Sequence, residues 1–183
     1  MTLSQAIDKV MIALDETEVG NSDIQVNVAD YTVKLPDCFD SIQRELATNC
    51  KPIKKYLTAT TTAKAINKPN DLFEVTSITD SDGYMIGYEE NATQFLFDED
   101  GEYTLCYKAY PTTINSSTES TYSFEIDNDC QEIMIYGVCM LLTINDDTTL
   151  YSIYRNEYEN GMANIIERLS AYPKGRVLGG VRI

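Results

Sequence analysis

The last third of the chain contains two consecutive stretches whose apolar residues repeat at helical spacing. The first covers residues 129–144, and the second starts near Asp147, a residue type that caps helix N-termini well. A short acidic turn separates the two stretches, and Pro173 ends the second because proline cannot continue a helix. Since helices joined by so few residues pack side by side, the pattern predicts an antiparallel helical hairpin over residues 127–172.

The apolar side chains of this hairpin are predicted to face the core. They are Ile133, Met134, Tyr136, Met140, Leu141 and Ile144 in the first helix and Leu150, Ile153, Tyr154, Met162, Ile165, Ile166 and Leu169 in the second. The side formed by Tyr151, Tyr154 and Tyr158 has two interpretations: packing within the core, or contact with another subunit, where tyrosine is enriched. Gly161 indicates either a kink or a close neighbour.

The rest of the chain predicts one helix followed by strands. Residues 1–20 form an amphipathic helix whose apolar stripe is Leu3, Ile7, Val10, Met11 and Leu14. Residues 21–126 form a β-rich lobe, with extended segments at 24–35 and strands of a meander at 72–78, 84–88, 94–97 and 102–110. Residues 41–46 fit a helix and a strand equally. The predicted fold is therefore a single α+β domain over residues 1–183, with the helices packed beside a small antiparallel sheet.

Charge is distributed unevenly along the chain, whose net charge is −15. Residues 69–150 hold 17 acidic residues and one base, whereas the Lys/Thr-rich insertion at residues 47–70 is basic. Its lysines are Lys51, Lys54, Lys55, Lys64 and Lys68. The insertion is interpreted as a protruding hairpin or as a loop ordered by contact. Its lysines are either solvated or in contact with the acidic part of another copy.

Residues 173–183 predict an extended C-terminal arm. It combines basic and apolar side chains without an acid: Lys174, Arg176, Val177, Leu178, Val181, Arg182 and Ile183. Such a segment is either a disordered terminus or a partner-binding element that adds to a sheet or fills a groove.

No catalytic motif is present in the sequence. The chain has no histidine, so Ser-His and Cys-His catalytic pairs are excluded. Five cysteines without CxxC spacing predict free thiols, and the Asp-Gly sequences at 80–83 and 98–101 predict hairpin turns better than calcium loops. We therefore expect no enzyme activity, no cofactor and no metal. The strong negative charge argues against tight nucleic-acid binding, and no apolar run reaches the roughly 20 residues that span a bilayer.

The order of these parts resembles the head–tail connector, or portal adaptor, proteins of tailed bacteriophages. The resemblance rests on the Leu35-Pro36 pair after an extended segment, the strand ending in Tyr110-Pro111, and Asn145-Asp146-Asp147 between an apolar and a Tyr-rich helix. It covers most of the chain, although the lysine-rich insertion is not expected in a minimal adaptor.

The resemblance implies a virion structural protein of the neck, made in the host bacterial cytoplasm. It implies a homo-oligomeric ring of about twelve copies that joins the portal protein to tail or neck proteins. DNA would pass non-specifically through its acidic channel, no membrane would be involved, and the arm would contact the portal. The alternatives are a tail terminator or other neck protein and, from a different class, a soluble acidic protein-binding module.

Overall fold

Helices occupy both ends of the described chain, and strands occupy its middle. The computed structural model describes residues 1–18 and 28–171. Within these residues the helices are α1 (Leu3–Glu18), α2 (Val28–Glu45), α3 (Asn128–Thr143) and α4 (Thr148–Ala171), and a π-helical turn, Leu46–Cys50, follows α2. The fold is α+β.

Helix α3 is the centre of the helical part, because it contacts the other three helices. The thiol of Cys139 lies 4.0 Å from the carbonyl oxygen of Val10 in α1. On the α4 side, Gly137 lies so close to Tyr158 that a β-carbon added at Gly137 would be 2.9 Å from the ring. The buried residues of α3 are Cys130, Gln131, Met134, Ile135, Gly137, Val138, Cys139, Leu142 and Thr143.

The strands form two three-stranded antiparallel sheets. They are β1 (Ile53–Thr60), β2 (Ala65–Asn67), β3 (Leu72–Asp80), β4 (Glu89–Glu90), β5 (Gln94–Leu96) and β6 (Glu102–Ala109). The first sheet has the order β1-β6-β3 and the second β2-β5-β4. A second core lies among these strands and includes Ile66, Ile78, Phe95, Phe97, Tyr103, Leu105 and Tyr107.

Helix α2 corrects the prediction of extended segments over residues 28–35; the preceding residues 24–27 lie outside the described chain. Its buried apolar side chains, Tyr31, Leu35, Phe39 and Ile42, recur at helical spacing, and Leu46 in the π-helical turn continues the stripe. Pro36 lies inside the helix, where proline costs about 3 kcal/mol. Burial offsets that cost, since one buried Leu or Phe contributes about 2 kcal/mol. The ambiguous residues 41–46 are therefore helical.

The β part also differs from a single meander. Strands are confirmed at residues 72–78, 94–97 and 102–110, but over residues 84–88 only Met85 forms a bridge, with Thr79. The insertion at 47–70 is not a separate protrusion, because β1 pairs with β6 and β2 pairs with β5.

The predicted buried faces of α3 and α4 are partly wrong. Five side chains that were predicted to face the core are exposed: Tyr136, Ile144, Ile153, Ile166 and Leu169. The caps were predicted correctly: the Asp147 carboxylate accepts hydrogen bonds from the amides of Thr149 and Leu150, at 2.7 and 3.0 Å. Gly161 admits a close neighbour, Ile133.

Candidate functional site

Three of the five lysines of the basic stretch form ion pairs with acidic residues of their own chain. Lys51 Nζ lies 2.7 Å from the Asp127 carboxylate, and Lys68 Nζ lies 3.0 Å from the Glu90 carboxylate. Lys64 Nζ donates to the Asp98 carbonyl oxygen at 2.6 Å. This stretch was predicted to stay solvated or to contact another copy, but it joins parts of one chain that are distant in sequence.

Lys55 lies at the centre of a cluster of charged groups, which we call the Lys55 cluster. Its Nζ lies 2.9 Å from the Asp71 carboxylate and 3.0 Å from the Glu125 carboxylate. The Tyr107 hydroxyl donates to the other Asp71 oxygen at 3.1 Å, and the Thr112 hydroxyl and amide donate to Glu125. The cluster therefore joins β1, β6 and the segment that leads to α3.

The charges of the Lys55 cluster stabilise one another. The hydrogen bond that Lys55 donates to Asp71, with help from the one to Glu125, raises the pKa of Lys55. Burial alone would raise the pKa of Asp71, but its hydrogen bond and ion pair with Lys55 outweigh burial and lower it. For Glu125, bonds from Thr112 and Lys55 likewise outweigh burial and lower the pKa. Lys55 thus stays protonated at neutral pH, and this amine cannot act as a nucleophile or general base.

Two hydrogen bonds from α2 hold the segment between β6 and α3. The buried Gln43 side chain donates to the carbonyl oxygen of Thr112 at 2.8 Å. The Asp40 carboxylate accepts from the amide of Ile114 at 2.8 Å. Because neither group is near its partner in sequence, these contacts fix the position of the β part against the helices.

The two Asp-rich turns meet at one cleft of about 440 Å³, the acidic cleft. Its acidic lining is Asp80, Asp98, Glu99, Asp100 and Glu102. Asp80 caps its own turn by accepting from the amides of Asp82 and Tyr84, and Asp100 accepts from the Lys64 amide at 2.6 Å. Across residues 1–18 and 28–171, no group of three or more Cys, Asp or Glu side chains is placed to hold a metal ion. The carboxylates form turns and give the cleft a negative potential.

An apolar groove of about 420 Å³ lies between α1 and α3. Its lining is Lys9, Ile12, Ala13, Glu132, Ile133, Ile135 and Tyr136. Ile12 is 54% exposed and Tyr136 is 38% exposed, so two large apolar side chains face solvent at one place. The sequence analysis did not predict this groove. The position of Ile12 outside the apolar stripe of α1 was the signal that an apolar side chain would face solvent there.

The structure separates the three tyrosines of α4. Tyr154 and Tyr158 are buried, which agrees with core packing and corrects their placement at a subunit contact. The Tyr154 hydroxyl donates to the carbonyl oxygen of Ala13 at 2.7 Å, and the Tyr158 ring fills the space left by Gly137. Tyr151 is half-buried. The predicted arm residues, Lys174, Arg176, Val177, Leu178, Val181, Arg182 and Ile183, lie outside the described residues.

The chain matches no protein-family model, and no curated protein sequence matches it. Among the helices of the described chain, none is long and apolar enough to cross a membrane.

Proposed function

We propose that the protein is a structural subunit of the neck of a tailed-phage virion. In this proposal its copies form a ring that joins the portal to the tail and extends the DNA channel. The observation that carries the proposal is the apolar groove between α1 and α3. Its exposed Ile12 and Tyr136 favour a protein partner, because aromatic and apolar side chains supply most of the binding energy at interfaces.

Charge at the groove supports a second copy as the partner. Lys9 and Glu132 carry opposite charges on its two walls, so the surface of another copy can pair with both if it offers one acid and one base. A contact between the groove of one copy and a different surface of the next is heterologous, and such contacts close into rings when the rotation allows.

The acidic cleft supports the proposed role in DNA passage. Lys51, Lys55 and Lys68 are already paired with acids of the same chain, so they do not offer a free basic surface to phosphates. The acidic turns that line the acidic cleft add negative potential to the β part. A channel wall of this kind repels the DNA backbone and lets it slide, since phosphate binding depends on lysine and arginine.

The arm completes the proposal as the contact with the portal. Residues 174–183 combine three basic and four apolar side chains and follow directly after α4 and its neighbouring residues 172–173. Lys54, which is exposed on β1, is the lysine of the basic stretch that we assign to a neighbouring copy.

Native mass spectrometry tests the proposal. The protein is measured alone over a range of concentrations and after mixing with the portal protein encoded in the same genome. We expect ring-sized assemblies in at least the mixture. Ile12→Glu and Tyr136→Glu should reduce assembly, because a buried carboxylate in the contact is costly.

The matched control is Val33→Glu, which changes a side chain that is 79% exposed on α2, away from the groove. It should assemble as the unmodified protein does. A protein that stays monomeric under both conditions would refute the ring, and equal assembly by the groove variants and the control would refute the role of the groove.

A further inference from the structure

The apolar groove between α1 and α3 begins close to the point where α4 ends. Helix α4 ends at Ala171, and one turn before that end Arg168 Nη2 lies 3.0 Å from the Asp129 carboxylate, in the first turn of α3. Glu132 is the next turn of α3 and already lines the groove. The chain that follows α4 therefore leaves the helical part beside one end of the groove.

Helix α4 also runs next to the groove, and the chain after it is long enough to reach the whole groove. Ile133 lines the groove, and a β-carbon added at Gly161 of α4 would lie 2.4 Å from Cγ2 of Ile133. Tyr136 comes two turns after Asp129, about 10 Å further along α3. Residues 172–183 span roughly 40 Å when fully extended, so their length exceeds the distance to be covered.

The order of residues in this segment fits the groove. Two bases come first and most of the apolar residues come last: Lys174, Arg176, Val177, Leu178, Val181 and Ile183. About 20 Å of extended chain separates Ala171 from Val177, so the two bases pass the α3 wall before the apolar residues arrive. Glu132 is the acid on that wall, and Lys9 lies on the opposite one. The bases thus meet the acid, and the apolar side chains meet Ile12 and Tyr136.

From this arrangement we propose that residues 177–183 occupy the apolar groove of their own chain in the free subunit. The segment covers the exposed parts of Ile12 and Tyr136 and removes this apolar surface from water. The same chain is favoured over a second copy, because a tethered segment that can reach its site has an effective concentration in roughly the millimolar range. A separate copy competes only in concentrated solution or within an assembly.

The consequence for assembly rests on the proposed function. While the arm fills the groove, the groove is closed to a neighbouring copy. The arm cannot contact its own groove and the portal at the same time, so portal binding favours the state in which the groove is open. The ring then forms on the portal and not in free solution.

Tryptophan fluorescence tests the proposal on the full chain, which contains no tryptophan. Leu178→Trp and Ile183→Trp each introduce one reporter. In dilute solution we expect emission at shorter wavelength than in urea and weak quenching by acrylamide, because the groove shields the indole ring. Adding Tyr136→Glu should shift the emission to longer wavelength and increase quenching, whereas the exposed control Val33→Glu should change neither.

Two outcomes would overturn the proposal. The first is a pair of reporters that are fully quenched in the folded protein, or whose emission does not respond to Tyr136→Glu or to Ile12→Glu. The second is shielding that appears only as the protein concentration rises, because the groove would then hold a second copy. Circular dichroism confirms that each variant keeps its helices, and two reporters and two groove variants keep the test decisive if one variant does not fold.

Native mass spectrometry of Leu178→Asp tests the effect on assembly. A carboxylate on the arm weakens its contact with the groove, so this variant should associate without the portal at a lower concentration than the unmodified protein. Equal association of the two proteins would refute the regulatory step. Shielded reporters in a protein that never forms rings would refute the ring and keep the arm in the groove. Exposed reporters in a ring-forming protein would do the reverse.

Discussion

Gly161 is the point where α4 comes closest to α3, and replacing it with alanine should destabilise the fold. A β-carbon at this position would lie 2.4 Å from Cγ2 and 3.2 Å from Cβ of Ile133. Ile133 cannot swing away easily, because a β-branched side chain in a helix keeps one rotamer. The helices must separate instead, which disturbs the tight contact between Gly137 and Tyr158 about one turn away.

The expected change in the free energy of unfolding follows from two opposing effects. Alanine is favoured over glycine within a helix by about 1 kcal/mol. Inserting a methyl group into a packed site costs about 3 kcal/mol when the neighbours cannot adjust. We therefore expect Gly161→Ala to lower the free energy of unfolding by about 2 kcal/mol. Urea denaturation followed by circular dichroism measures this change.

A double-mutant cycle isolates the contact. Ile133→Ala removes the atom that the new methyl group would meet, so in that background Gly161→Ala should stabilise by about 1 kcal/mol. Asn160→Ala, on the exposed side of α4, is the control for helix propensity and should be neutral or slightly stabilising. If Gly161→Ala stabilises the unmodified protein as much as it stabilises the Ile133→Ala background, the close approach of the helices is not real.

Three further predictions concern the polar contacts. Gln43→Leu should lower the free energy of unfolding by about 1 kcal/mol in urea denaturation, because it removes the hydrogen bond from Gln43 to the carbonyl oxygen of Thr112 and leaves that oxygen only the longer bond from the Tyr122 hydroxyl, at 3.4 Å. The carboxyl groups of the Lys55 cluster have lowered pKa values in the folded state, so their stabilisation is complete above the ordinary pKa of about 4 and disappears as the pH falls through the lowered values. The denaturation midpoint should fall over that range, and Lys55→Met should flatten the fall; an equal acid dependence in both proteins would contradict the assignment. Lys51→Glu should lower the thermal midpoint, because it brings a second carboxylate next to Asp127. Lys54→Glu is the control and should leave the midpoint unchanged. Equal midpoints of the two variants would show that the contact of Lys51 contributes nothing.

Elements with an uninterrupted local pattern could be predicted from the sequence. The helices α1, α3 and α4 and the strands β3, β5 and β6 each follow a simple apolar repeat with turn residues or caps at their ends. Helix α2 was missed because Pro36 and a short alternation nearby favoured extended structure. The longer repeat from Tyr31 to Leu46 was the better guide, since it covers four turns of one face.

The contacts between distant segments could not be predicted in this way. Lys51 and Asp127 are far apart in sequence, and their charges alone did not indicate whether they meet within one chain or between two. The burial of Tyr158 depends on the absence of a side chain at Gly137, on another helix. Such pairs depend on how the elements pack, and a local pattern contains no information about packing.

The central strand of the first sheet and the central helix of the helical part follow most of their partners in the sequence, which has a consequence for folding. Strand β6 holds β1 and β3 together, and α3 holds α1, α2 and α4 together. During synthesis, β1 leaves the ribosome well before β6, and α1 and α2 leave long before α3. Neither core can close until these segments emerge, so the chain has a high contact order and folds more slowly than a chain whose contacts are local.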